Sequence, residues 1–246
     1  MEPILCHLDD AVMVLSLNRQ NKRNALTQHM YSELCHHLER ANDDPSIKAI
    51  LFQGQTDCFC AGNDLHDFLN LTQLDQDTPV IRFLRLLPRI NKPMLAAVAG
   101  PAVGIGTTLL LHCDLIVATA DSKLALPFVN LGIVPEAGSS TLLPALVGYQ
   151  KAAELLLLGK PFSGEQAHQW GLINQLCPAE TLLETALGLA HSIARKPPLA
   201  LADTLSLLRH ARPKDLTQVV DREIALFTER VHSDEARAII AGMVRK

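Results

Sequence analysis

The sequence predicts an α/β fold in which parallel strands are crossed by helices, and three observations predict it. Short apolar runs alternate with helix-period segments through the first two thirds of the 246-residue chain. Glycine-bearing turns follow two of the strand-like runs. From Glu180 onward the pattern is helical nearly to the end, which reads as a helical region appended to the core.

Residues 4–8 and 12–17 are apolar-rich and separated by Asp9-Asp10, the pattern of a β-hairpin opening a sheet. Thr27 is an N-cap for a helix whose apolar positions Met30, Leu34 and Leu38 recur at helical spacing up to the breaker "NDDP". "IKAILFQG" then reads as a buried strand ending at Gly54. Residues 66–91, with "LTQLDQDTP" and Pro88, read as a surface excursion with one helix, a candidate lid. "MLAAVAG" is a strand after Pro93, "VGIGTTLLLHC" a helix that begins in glycines, and "DLIVATA" a further strand. Ser163 caps a short helix reaching Trp170 with a glycine stop, and "LINQLC" follows as a strand. The C-terminal helices break at "RKPP" and "ARPKD".

A hydrophobic fraction of 48% with 20% charged residues excludes a disordered or fibrous chain. The net charge of -4 supplies no global field for nucleic acid or an anionic membrane, so any phosphate must be bound locally. The N-terminus lacks a basic segment followed by an apolar core, and the longest apolar runs are broken before spanning length. "GMVRK" at the C-terminus carries no Ser-Lys-Leu peroxisomal address. A soluble cytoplasmic protein is expected, with neither membrane nor nucleic acid as partner. Cys6, Cys35, Cys58, Cys60, Cys113 and Cys177 are scattered, with no second pair to complete a tetrahedral site beside Cys58 and Cys60, so reduced thiols and no metal are expected.

The two glycine turns, "FCAGNDL" at 59–65 and "AGPAVGIGTT" at 99–108, carry the first chemical signal. Glycine lets backbone approach a ligand, and a helix starting there presents unpaired N–H donors. Two such turns could aim two N–H groups at one oxygen, the requirement of an oxyanion hole. Singly each is better read as a tight turn, because "GIG" lacks both the Walker lysine and the full dinucleotide-binding spacing.

With "LNRQNKRNALT" (17–27), "FCAGNDL", "NKPMLAAVAGPAVGIGTTLLLHCDLIVA" (91–118), "LPFVNLGIVPEAGSSTLLPALVG" (126–148) and "GKPFSGEQAHQWGLINQL" (159–176) in this order, the chain resembles the crotonase, or enoyl-CoA hydratase/isomerase, superfamily over nearly its whole length. The resemblance implies an α/β crotonase-like ββα spiral core with a C-terminal helical trimerisation region, here divided as 1–195 and 196–246. It implies an acyl-CoA thioester substrate, coenzyme A being part of that substrate and no separate cofactor needed, and a homotrimer or dimer of trimers. The oxyanion donors it implies are the backbone N–H groups of Asn63 and Ile105, the latter standing where the family usually has glycine. Lys22 and Arg23 fall near the CoA phosphates, the Ala61 carbonyl meets the adenine, and Ala25, Gly62, Asp64, Leu65, Gly104 and Phe128 line the substrate site. Asp64 also reads as a turn cap.

Hydratases of the family carry two glutamates at the positions of Thr108 and Phe128, and both acids are absent here. Hydration divides its proton transfers between two carboxyls, work beyond a threonine and a phenylalanine. Glu136 is the one acid in "NLGIVPEAGSS", where hydratases tend to have glycine. The Pro-Glu-x-x-Ser-Ser pattern is similar to Δ3,Δ2-enoyl-CoA isomerases of the peroxisomal type, so Glu136 is expected to shuttle a proton between C2 and C4. Against this stands its reading as a first-turn acid favoured by a helix dipole. His112, Cys113 and Asp114 read as packing and turn chemistry rather than a triad. A hydratase or other crotonase reaction, and a non-catalytic acyl-CoA-binding or scaffold protein, are the alternatives.

Overall fold

The computed structural model describes residues 2–55, 57–71, 74–210 and 215–245. It opens with β1 (Ile4–Asp9) and β2 (Val12–Leu17), paired antiparallel as the hairpin expected. Helix α1 (Gln28–Asp43) follows, its Thr27 hydroxyl accepting the Met30 N–H at 3.3 Å, and leads to β3 (Ala49–Gln53). Among the described residues of 66–91 there are two α-helices where the sequence predicted one: α2 (Leu65–Leu69), capped by Asp64, and α3 (Pro79–Leu86), which starts on a proline pre-set for a first helical turn. Strands β4 (Met94–Val98) and β5 (Pro101–Val103) come next, then α4 (Ile105–Thr108), which tightens into a 3-10 turn at Leu109–His112.

Strands β6 (Leu115–Ala118) and β7 (Lys123–Ala125) precede α5 (Ser139–Val147) and α6 (Tyr149–Leu158). The two-residue β8 (Phe162–Ser163), α7 (Gly164–Gln169) and β9 (Gln175–Leu176) follow. Only Gln175 and Leu176 of "LINQLC" pair as strand, because the Leu172 and Ile173 N–H groups turn back to the Ala167 carbonyl. Helices α8 (Leu182–Ala194), α9 (Pro198–His210), α10 (Leu216–Val231) and α11 (Asp234–Val244) complete the chain. The break expected at "ARPKD" falls on residues 211–214, outside the described residues.

Among the described residues the main sheet runs β1-β2-β3-β4-β6-β9, parallel from β2 onward, and a small sheet runs β5-β7-β8. The continuous apolar runs of β2, β3 and β4 follow from burial on both faces. Val12, Val14, Ala49 and Leu51 pack with Leu182, Ala186 and Ala190 of α8, whereas Met13, Leu15, Ile50 and Phe52 enter the larger core. Each Val or Leu so buried contributes about 1.5–3 kcal/mol. That larger core also holds Val220, Ile224, Phe227, Val231 and Ala236, so α10 and α11 pack on the same cluster as the sheet. No described helix is long and apolar enough to cross a membrane.

Candidate active site

The two glycine turns are fastened together by backbone. The Cys60 carbonyl accepts the Val103 N–H at 2.9 Å, and a Cβ on Gly106 would lie 2.7 Å from that same oxygen, so only glycine lets α4 start this close. On the other side, the Ala61 N–H donates to the Arg23 carbonyl at 3.0 Å, and the Leu26 N–H donates to the Gly62 carbonyl at 2.8 Å. The buried Asn24 amide donates to the carbonyls of Cys58 (3.0 Å) and Phe59 (3.1 Å), latching residues 19–26 to residues 58–64. Among the described residues, neither the Asn63 N–H nor the Ile105 N–H has a protein acceptor. Ile105 is the first residue of α4, where the N–H has no partner within the helix.

Glu136 sits beside these turns with 2% of its surface exposed. Its Oε1 accepts the Thr108 hydroxyl at 2.5 Å, one turn along α4 from Ile105. Burial drives the carboxyl from 4.5 up to about 8; the Thr108 hydrogen bond works against the rise and the Glu223 charge adds to it. The backbone then turns sharply, with left-handed Ala137 (φ 59°) and Gly138 (φ 73°), so Glu136 does not enter the helix that begins at Ser139. A first-turn acid on the α5 dipole is therefore not its place.

Three buried groups hold this loop and the Asn63 turn, and two of them, Glu223 and Tyr31, carry no signal in the sequence. His112 donates from Nε2 to the Ala137 carbonyl at 2.7 Å, a carbonyl being only an acceptor. Glu223 of α10 accepts the Gly138 N–H (2.6 Å), the Ser140 N–H (3.0 Å) and the Ser140 hydroxyl (2.5 Å). Tyr31 of α1 donates to Asn63 Oδ1 at 2.6 Å; burial raises its phenol well above the usual range, and the Glu136 charge adds to that rise. The turn-chemistry reading of His112 thus lands next to the candidate base. Thr108, noted only as a position without its acid, touches Glu136 directly.

Of the remaining predicted residues, Lys22 and Arg23 are exposed, and Ala25, Ala61 and Leu65 are half-buried around the joined turns. Gly104 adopts φ 56° and donates its N–H to the Ala125 carbonyl at 2.9 Å. Asp64 pairs with Arg19 at 2.6 Å and accepts the His66 and Asp67 N–H groups at 3.0 and 3.1 Å. Burial pushes Asp64 up, but Arg19 and those N–H donors outweigh it and hold the carboxyl below its usual value. Its oxygens are thus engaged by the protein. Phe128 lies in the core, as do Ile105 and Ile133. The one group of potential metal ligands among the described residues is Asp9, Asp10 and His191, at the β1–β2 turn and thus at the other end of the strands from residues 54–64.

An α/β core of two sheets, two joined turns with spare N–H groups and a buried carboxyl beside them define a protein of the crotonase class. The profile of the enoyl-CoA hydratase/isomerase family matches residues 7–245, and the chain belongs to that family. It is 36% identical to the 1,2-epoxyphenylacetyl-CoA isomerase of Escherichia coli K12, covering 91% of this chain and 88% of that one. It is also 31% identical to the peroxisomal enoyl-CoA delta isomerase 3 of Mus musculus, covering 99% of this chain and 78% of that protein. Among solved structures, OdaA of Pseudomonas aeruginosa superposes with a TM-score of 0.96 at 42% identity, and the match covers 100% of both chains.

Proposed function

We propose that this enzyme shifts the double bond of a 3-enoyl-CoA to the 2-position, with Glu136 as the single proton shuttle. Glu136 removes a proton from C2; the C2–H electron pair forms the C1–C2 double bond as the carbonyl pair moves onto the thioester oxygen, giving a dienolate conjugated with the C3–C4 double bond. The N–H groups of Asn63 and Ile105 donate to that oxygen as its charge develops. Glu136 then returns the same proton to C4, so no water and no cofactor beyond the CoA of the substrate enters the balance. Lys22 and Arg23 would meet the CoA phosphates through charge-assisted hydrogen bonds, and the Ala61 carbonyl the adenine.

The observation that carries this reading is the buried carboxyl of Glu136 hydrogen-bonded to Thr108, a position at which the family resemblance places one of the two hydratase acids. Relatives at 34% and 32% identity carry hydratase names, so hydration is the competing chemistry. Parallel assays on a 3-enoyl-CoA and a 2-enoyl-CoA separate the two. Double-bond migration is expected, and robust hydration without it would overturn the proposal. Glu136→Gln is expected to lower kcat by on the order of 10²–10⁴-fold while calorimetric binding of an acyl-CoA stays within about threefold; unaltered turnover removes Glu136 as the base.

A further inference from the structure

Glu223 is 85 positions from Gly138 in the chain and takes no part in the steps above, yet it is 5% exposed and closes on the loop that carries Glu136. Its three hydrogen bonds take up the Gly138 N–H, the Ser140 N–H and the Ser140 hydroxyl at the start of α5, where an N–H has no acceptor one helical turn back. Without an acceptor there, the buried Gly138 N–H would be stranded where Ala137 and Gly138 are both left-handed, and the Ser140 N–H beside it would lose its partner. On the same helix Asp221 pairs with Arg85 of α3 at 2.7 Å, and Phe227 packs edge-on against Phe68 of α2 at 5.5 Å. Leu216, which leads α10, would crowd a Cβ on Gly138 at 2.6 Å. Helix α10 is thus seated from both sides, and Glu223 passes its position to the loop.

We propose that Glu223 is a positioning residue for Glu136, fixing the 137–140 turn from helix α10 so that the Glu136 carboxyl is held at Thr108 and the substrate. The inference rests on the assignment of Glu136 as the base. Glu136 is faced by the Thr108 hydroxyl from α4, the Tyr31 phenol from α1, the Cys60 thiol from the first glycine turn and the Glu223 carboxyl from α10. Burial raises Glu223 as it raises Glu136, but Glu223 has two N–H donors and a hydroxyl to hold its charge, whereas Glu136 has one hydroxyl. Glu223 is therefore the member of the pair that ionises more readily, and its negative charge opposes ionisation of Glu136.

The test is the pH profile of 3-enoyl-CoA isomerisation by Glu223→Gln, measured beside wild type and Glu136→Gln. Glutamine removes the charge and turns one oxygen into a donor facing donors. A drop in kcat of about tenfold or more with KM within about twofold is expected, together with movement of the activity inflection to lower pH. A wild-type kcat and inflection would overturn the proposal and leave Glu223 a helix cap. Ser140→Ala, which removes one bond and keeps the charge, serves if Glu223→Gln does not fold: a smaller kcat loss at unchanged KM is expected, and a wild-type kcat overturns the proposal. Loss of turnover in Glu136→Gln with a wild-type profile in the α10 variant defeats Glu223 alone, whereas full turnover in Glu136→Gln defeats the base as well.

Discussion

At the scale of single residues, Glu136 keeps its proton in the folded protein over a range where the unfolded chain has lost it. With a folded value of about 8 against 4.5, the native state binds more protons than the unfolded state between those limits. Its contribution to stability is therefore full below about pH 4.5 and is lost as pH rises through 8. Chemical denaturation at pH 6 and pH 9 should show wild type losing stability between the two, with Glu136→Gln losing less; equal losses would refute the buried, protonated carboxyl. Glu136, Asn63 and Ile105 stand out in the sequence as candidates because their signal is local, an acid or a glycine turn among recognisable neighbours. The groups that hold them were not. Thr108 meets Glu136 from 28 positions away, Tyr31 meets Asn63 from 32, and His112 reaches the Ala137 carbonyl from 25. Such pairings exist only after the chain has folded, and no periodicity or spacing records them.

At the scale of elements, the site depends on α4 beginning at Ile105 with an N–H that the helix does not use. A first helical position accommodates proline, and Gly104 before it, at φ 56° and ψ -118°, is the mirror image of the extended backbone that precedes prolines. Ile105→Pro should therefore fold and bind acyl-CoA while kcat drops on the order of 10²–10³-fold, the effect of deleting one oxyanion donor. Wild-type kcat in that variant would remove Ile105 from the proposed mechanism. The main-sheet strands and α1 were readable because continuous apolar runs and a capped 3.6-residue period mark them. Strands β5, β7, β8 and β9 have three residues or fewer, too short for any period to register, and are defined by their partners alone. The second helix in 66–91 was likewise hidden behind a polar stretch that reads as loop.

At the scale of the molecule, the C-terminal helices divide their work. Helices α10 and α11 enter the main core, whereas α9 leaves Leu199, Leu207 and Leu208 at 81%, 72% and 66% exposure. Exposed apolar side chains on α9 are candidates for contact with another copy of the chain, and we propose that Leu207 and Leu208 take part in the homotrimer or dimer of trimers that the family resemblance implies. Replacing Leu207 and Leu208 with Glu should shift the mass measured by light scattering to that of a single chain; an unchanged mass would place the contact elsewhere. The Asn24 latch welds residues 19–26 to residues 58–64, and under the proposed reading the first stretch grips the CoA phosphates while the second carries both the Ala61 carbonyl for the adenine and the Asn63 N–H for the reacting carbonyl. The span between phosphates and reacting carbonyl is thus gauged by main chain, as on a caliper with its jaws locked, and a thioester of the wrong reach presents its C2 to the wrong atoms.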